Sequence, residues 1–312
     1  MNKPNILYYE CLNYNSENLK VLKNLFNVTT LPDPRYDSQL PWEQKNKIDC
    51  IFLPLGFTYG PHQIEQYPKC QIIASNTTTA PLVKQDEDSN ILLLYLEDKS
   101  FLDCITSTAE HALGLMHAVH RRIPSALSHV KQGSWNRYDH GAPFMLSKAI
   151  CTIWGYGRIG EHLWNRTEHL FMKRNVIGKN TLEEQINEVL ERTDVLFLTL
   201  SVDGPQPVVT KHHLEQLPAT SIVVNVSRGE VLDTQTLFRM LFDGELWGAG
   251  LDVLPRDHAF QYNETSDEWE WAKDYMTDHT NLIITPHIAG STEDAWRDTQ
   301  AYIIDKVKEI LL

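Results

Sequence analysis

The sequence predicts an α/β protein built from two doubly wound parallel sheets. Its 312 residues are enough for two domains, each with its own core. Short apolar runs alternate with amphipathic segments along most of the chain, the rhythm of strands joined by crossover helices. In the middle, the apolar run Ala149–Trp154 leads into the turn Gly155-Tyr156-Gly157-Arg158-Ile159-Gly160. An amphipathic stretch then runs to about Met172.

Taken in order, the first third offers strands at Ile6–Tyr9, Cys50–Leu55, Gln71–Ala74 and Ile91–Leu96. Helices fall at Ser16 to about Phe26 and near Gln63–Gln66, giving a small layer of parallel strands. The longest helical pattern lies between Thr106 and Arg122, where Ser107 and Glu110 have capping-box spacing. Gln132 to Pro143, rich in Gly, Asn and aromatic residues, reads as a loop. Beyond it six strands are expected, at Ala149–Trp154, Asn175–Ile177, Val195–Leu200, Ile222–Val226, Gly248–Val253 and Leu282–Thr285. Thr181–Arg192 between them reads as a helix opened by a Thr181…Glu184 capping box, and Asp233–Phe242 as one closed by Gly244. Six strands with interposed helices describe a Rossmann sheet. The last helix, Thr292–Leu312, follows the sixth strand and is free to pack elsewhere.

The order strand, glycine turn, helix is what a dinucleotide needs. The first glycine allows a tight turn, the second lets the backbone approach a pyrophosphate, and the third lets helix and strand pack closely. The helix N-terminus offers N–H groups to the phosphates.

Composition excludes several other classes. A formal charge of −13 argues against a nucleic-acid partner and against an anionic membrane surface. The chain runs from Met1 directly into a strand-like segment without a signal-peptide pattern, and its longest apolar run, Ile91–Leu96, is too short to span a bilayer. Five scattered cysteines, four of them in or beside apolar runs, read as buried thiols of a cytoplasmic protein.

Several motifs narrow the reading: Val224-Asn225-Val226-Ser227-Arg228-Gly229-Glu230, Gly250-Leu251-Asp252-Val253, Asp257, and Thr285-Pro286-His287-Ile288-Ala289-Gly290-Ser291-Thr292. With Gly155–Gly160 and Ala109-Glu110-His111, they resemble the D-isomer-specific 2-hydroxyacid dehydrogenases, the group that includes 3-phosphoglycerate dehydrogenase. The resemblance implies a Rossmann NAD(P)-binding domain over 101–290. It also implies a smaller, flavodoxin-like substrate domain of 1–100 plus 291–312. It implies a homodimer with the helix Thr108–Arg122 at its interface, which accounts for His111, His117 and His120 without a metal.

The resemblance also implies site residues. Interconverting a 2-hydroxy and a 2-oxo acid needs a proton shuttle, a cation for the carboxylate and an oriented cofactor. His287 matches the acid/base, whose ordinary pKa lies near the working pH. Arg228 matches the substrate-binding arginine, whose planar fork holds a carboxylate and the neighbouring carbonyl together. Asp257 stands where the family usually has the Glu that hydrogen-bonds the histidine, and is shorter by roughly 1.5 Å. Either the backbone sits closer or the pair is looser. Asn76, Thr77 and Thr78 match the substrate loop, with Thr79 where Gly is common.

On the cofactor side the match covers Gly155, Gly157, Arg158, Ile159, Gly160, Val226, Ser227 and Asp252, the last either toward the nicotinamide carboxamide or in a structural role at a strand end. Lys179, Asn180 and Thr181 end the second Rossmann strand, where an NAD enzyme usually has an acid for the ribose. Lys179 is able to neutralise a 2′-phosphate and Asn180 to bond a ribose, so NADP(H) and NAD(H) both stay open, and the family's habit favours NAD(H).

The leading reading is an enzyme moving a hydride between NAD(P)H and a small 2-oxo acid. The alternative is a non-catalytic NAD(H)-binding sensor or scaffold, permitted by the departures at Asp257, Asn180 and Thr79. A further reading makes Phe260–Asp278, with Trp269 and Trp271, a lid over a bulky substrate, set against an insertion whose tryptophans pack on their own domain.

Overall fold

A parallel strand buried on both faces needs a continuous apolar run. Val195–Leu198 and Ile222–Asn225 are such segments, and every residue of both is buried. The computed structural model describes residues 3–84, 90–201, 206–257 and 266–312. The chain divides into two compact units, residues 1–105 with 291–312, and residues 106–290.

The first unit holds a parallel sheet of β1 (Asn5–Tyr9), β2 (Asn27–Leu31), β3 (Cys50–Phe52), β4 (Ile72–Ala74) and β5 (Leu92–Leu94), in the order β2-β1-β3-β4-β5. This is the flavodoxin-like order. Helix α1 (Ser16–Leu25) is capped by Asn15, whose side chain accepts from the Asn18 N–H at 2.8 Å. The C-terminal helix Glu293–Leu311 belongs to this unit and buries Ile303, Ile304 and Val307 with Ile6, Leu22 and Phe52. Gln300 Oε1 ties it to α1 by accepting from the Asn15 N–H and from Asn18 Nδ2. Strand β2 is absent from the expected set. It is an edge strand with no buried residue, so its Asn-Val-Thr-Thr-Leu sequence carries no apolar run.

The second unit holds β6 (Ile150–Trp154), β7 (Lys173–Ile177), β8 (Val195–Leu198), β9 (Ile222–Asn225), β10 (Gly248–Leu251) and β11 (Leu282–Ile284). All pairs are parallel, in the order β7-β6-β8-β9-β10-β11. The two strands after β6 lie on opposite sides of it, so the chain switches direction across the sheet at its carboxyl end. Ligands of open α/β sheets bind at that point.

Helix α2 (Ser107–His120) packs Ala109, Ala112, Leu115, Met116 and Val119 into the core of this unit. Two glycines let it close on β10. A Cβ on Gly248 would lie 2.6 Å from Val119 Cγ1, and one on Gly250 would lie 3.1 Å from Leu115 Cβ. A helix over Ile123–Lys131 follows α2, and further along the unit, among the described residues, come α3 (Arg158–Arg166), α4 (Glu183–Leu190), α5 (Thr234–Phe242) and α6 (Asp267–Asp278). Helix α5 ends as expected, with Gly244 at φ +71° just beyond it.

Two expected capping boxes are not formed. Glu110 Oε1 accepts from Thr106 Oγ1 at 2.6 Å, and Ser107 lies inside α2. The Thr181 hydroxyl accepts from the Gly178 N–H at 3.0 Å and closes the turn after β7. Gln185 then caps α4 by accepting from the Leu182 N–H. At the first, Glu110 pairs with the Thr106 hydroxyl in place of Ser107; at the second, the Thr181 hydroxyl has a nearer backbone partner, the usual competition for Ser and Thr at helix starts. Cys50, Cys70 and Cys151 are buried, but Cys11 and Cys104 are exposed because each follows the end of its apolar segment.

Candidate active site

The glycine turn begins at the end of β6. Gly155 has φ +104°, and a Cβ there would meet the Thr199 carbonyl oxygen at 2.6 Å. Thr199 Oγ1 donates to the Gly155 carbonyl at 2.6 Å and locks the turn against β8. A Cβ on Gly160 would lie 2.1 Å from that same carbonyl, so only glycine lets α3 start this close to the strand. Gly157 differs: apart from its own chain neighbours, no heavy atom lies within 4 Å of where its Cβ would be. The backbone there faces open space at the start of α3, beside Arg158 and Ile159. Such a cradle fits a pyrophosphate, which a helix N-terminus favours.

Beyond the turn, Lys179 and Asn180 are exposed in the loop that Thr181 closes after edge strand β7. Val226 and Ser227 are buried after β9, where the Ser227 N–H and hydroxyl both bond Asn225 Oδ1, at 3.0 and 2.8 Å.

Asn225 also shapes the turn that presents Arg228, since its Nδ2 donates to the Arg228 carbonyl at 3.0 Å. The next residue fixes what Arg228 stands beside. A Cβ on Gly229 would lie 2.0 Å from the Leu254 carbonyl carbon and 2.1 Å from Pro255 N, so the two backbones touch. The Leu254 segment folds tightly, with the Asp257 N–H donating to the Leu254 carbonyl at 3.1 Å. This turn carries Asp257 far enough that its Oδ2 lies 3.1 Å from His287 Nδ1. The missing methylene is made up by the backbone.

His287 sits at φ +53°, a left-handed conformation that costs an L residue roughly 1–2 kcal/mol. Its N–H donates to the carbonyls of Asp252 and Thr285, both at 2.9 Å. The hydrogen bond from Asp257 raises the imidazole pKa above the ordinary histidine value. Burial and the positive charge of Arg228 work against it, and Asp252 adds to it. Arg228, Asp257 and His287 therefore form one electrostatic group within the second unit.

Asp252 has a task of its own. It is 1% exposed, and its carboxylate accepts from Thr285 Oγ1, the Ile288 N–H and the Ala289 N–H. These contacts pin the turn that carries His287.

Asn76, Thr77 and Thr78 belong to the first unit, just after β4. The loop is held internally, with Thr77 Oγ1 bonding Ser75 Oγ and the Thr79 carbonyl at 3.0 and 2.8 Å, and the Leu96 N–H donating to the Thr77 carbonyl.

Within the Phe260–Asp278 stretch, 258–265 lie outside the described residues. Trp271 in α6 stacks on Phe238 and Tyr275 at 4.3 and 4.5 Å between centroids, and Trp269 packs on the same core. The tryptophans pack on their own unit.

Asn225, Gly229 and Thr285 have no role in the sequence reading, although all three lie inside the quoted motifs. His111 lies in the quoted Ala109-Glu110-His111, where the sequence reads it as an interface residue and gives no sign of its bond to Thr285.

The stretch that carries the glycine cradle, the buried pin and the Arg–Asp–His group falls within a known family. Residues 113–289, more than half the chain, match the family model for the NAD binding domain of D-isomer specific 2-hydroxyacid dehydrogenases. The chain belongs to this family. This dehydrogenase is 25% identical to a glycerate dehydrogenase of Methylorubrum extorquens over 78% of its own length and 77% of that protein. It is 28% identical to a D-3-phosphoglycerate dehydrogenase of Methanocaldococcus jannaschii over 73% of its length, but spans only 43% of that longer chain. A D-lactate dehydrogenase from Aquifex aeolicus, solved with NAD and lactic acid, superposes with a TM-score of 0.80. The match covers 98% of this chain and 95% of that one at 18% identity, a likeness of fold. Among the described residues of the dehydrogenase, no helix is long and apolar enough to cross a membrane.

Proposed function

We propose that this dehydrogenase interconverts a small 2-oxo acid and its D-2-hydroxy acid, with His287 as the proton-transfer group, Asp257 as its partner and Arg228 as the carboxylate-binding cation. The 3.1 Å contact between His287 Nδ1 and Asp257 Oδ2 carries the reading. It leaves Nε2 as the ring nitrogen facing the reaction. It also supports Asp257 in the place of the longer Glu, the departure that allowed a sensor in place of an enzyme.

The chemistry divides simply. The nicotinamide, when bound, supplies or takes the hydride at C2 of the substrate. His287, kept protonated by Asp257, donates its Nε2 proton to the substrate oxygen as the oxo acid is reduced and recovers one in the reverse direction. Arg228 orients the carboxylate through two parallel N–H bonds and polarises the neighbouring carbonyl. Gly155, Gly157 and Gly160, with the first turn of α3, would hold the pyrophosphate. Lys179 and Asn180 would meet the adenosine ribose, and Asn76–Thr78 would cradle the carboxylate with backbone N–H groups. The domain roles follow: 101–290 for NAD(P), and 1–100 with 291–312 for substrate.

A homodimer is part of this proposal. Exposed apolar side chains cluster after α2, with Ile123, Leu127 and Val130 about half exposed and Trp135 at 89%. Such a run is unusual on a monomer's surface. Turnover of a 2-oxo acid panel with NADH and NADPH, alongside light scattering, tests the activity and the assembly together. Turnover of none of the acids would leave the sensor reading standing.

A further inference from the structure

The turn that carries His287 is fastened to Asp252 by four bonds. The Asp252 carbonyl takes the His287 N–H. Its carboxylate takes the Ile288 N–H at 2.9 Å, the Ala289 N–H at 2.7 Å and the Thr285 hydroxyl at 2.6 Å. Successive N–H groups beside a left-handed residue form a concave anion-binding pair. Here the anion is the chain's own side chain.

His111 reaches this assembly from α2, with Nε2 2.9 Å from Thr285 Oγ1 and 3.4 Å from Asp252 Oδ1. The hydrogen positions follow from what each group is able to donate. An ionised carboxylate only accepts, so the single hydroxyl hydrogen of Thr285 points at Asp252. Thr285 Oγ1 is then an acceptor toward His111, and His111 Nε2 carries a hydrogen. The donors run from His111 to Thr285 to Asp252, whose carboxylate also accepts from the N–H groups of the strained turn.

The packing of α2 does not require this histidine. Ala109, Ala112, Leu115, Met116 and Val119 supply the buried face of the helix. The His111 side chain is 23% exposed, and both of its polar contacts go to Thr285 and Asp252. We propose that His111 is a positioning residue of the dehydrogenase, which locks the left-handed turn of His287 through Thr285 and Asp252. The proposal rests on His287 as the proton-transfer group.

The test compares wild type with His111→Leu, His111→Gln and Thr285→Val. It follows the His287 imidazole titration by NMR, assigned with His287→Gln, and kcat and KM with NADH and a reducible 2-oxo acid. Gln places an N–H donor near the position of imidazole Nε2, and Leu places none. In His111→Leu and in Thr285→Val, kcat falls about tenfold, as for a misaimed reacting group, with KM for NADH within about twofold. The His287 midpoint falls by about half a unit or more, toward the ordinary value. His111→Gln stays within about twofold of wild type in kcat.

Wild-type titration and kcat in both His111→Leu and Thr285→Val would overturn the proposal. So would a His111→Gln protein as impaired as His111→Leu. If His111→Leu fails to fold, His111→Ala, which also lacks the donor, takes its place. The titration needs no turnover, so it answers even for a protein that reduces none of the acids, and the two failures stay distinguishable.

Discussion

Asp257 Oδ2 lies 3.1 Å from His287 Nδ1, and this hydrogen bond is the largest cause of the raised histidine pKa. The sign follows directly. The folded-state pKa is above the unfolded value of about 6.5, so the pair's contribution to stability is complete below that value and is lost as pH rises through the folded pKa. In the proposed mechanism reduction needs the protonated ring, so its rate should decline over the same alkaline range. Asp257→Asn should move this limb of the kcat/KM profile to lower pH, while Asp257→Glu should keep a raised limb. A limb that stays in place in Asp257→Asn would remove Asp257 from its role.

Arg228 tests the carboxylate contact. Arg228→Lys keeps the charge but loses the two-pronged geometry. The loss of one charge-assisted bond, worth about 1.5–3 kcal/mol, predicts a kcat/KM for the oxo acid tenfold or more below wild type. Steady-state kinetics at fixed NADH, with calorimetry of NADH binding as a control, separates this from damage to the cofactor site.

The three glycines of the turn should respond differently to alanine. At Gly160 a Cβ would lie 2.1 Å from a carbonyl oxygen, and at Gly155 it would add a contact of 2.6 Å to a positive φ. Both variants should lose several degrees or more in Tm, since overpacking costs typically 1–3 kcal/mol and occasionally more. Gly157→Ala has open space, so its Tm should hold while NADH affinity falls. Thermal shift with and without NADH reads both effects. Equal losses of Tm at all three positions would contradict the assignment.

Much of this architecture is legible in the sequence, for reasons that vary with the element. The inner strands of the larger sheet are visible because buried parallel strands need apolar runs, and Val195–Leu198 or Ile222–Asn225 leave little choice. Strand β2 is invisible because an exposed edge does not need one. The two helix starts differ from expectation where Glu110 has two hydroxyls within reach, Thr106 and Ser107, and where Thr181 has a backbone N–H nearer than Glu184. The reach of Asp257 depends on how the chain turns after Leu254, which no side-chain pattern reports. The link from His111 to Thr285 spans 174 positions in sequence and becomes visible only when α2 is laid on the sheet.

Lys179 bears on cofactor choice. It is exposed beside Asn180 at the end of β7, where an acid would otherwise repel a 2′-phosphate. Nearby, Glu183 is held by His213 Nε2 at 2.8 Å. Lys179→Ala should weaken NADPH binding about tenfold, the worth of one charged contact, and leave NADH binding within about twofold. Fluorescence titration of both cofactors measures this, and equal effects on the two would show that Lys179 does not sense the phosphate.

The most direct test of the account is reduction of a panel of 2-oxo acids by NADH in wild type and in His287→Gln, with NADH affinity measured on both proteins. The account predicts turnover in the wild type, a loss of about 100-fold or more in the variant, and unchanged NADH binding. A wild type that binds NADH and reduces none of the acids, or a variant that still turns over at the wild-type rate, would contradict it.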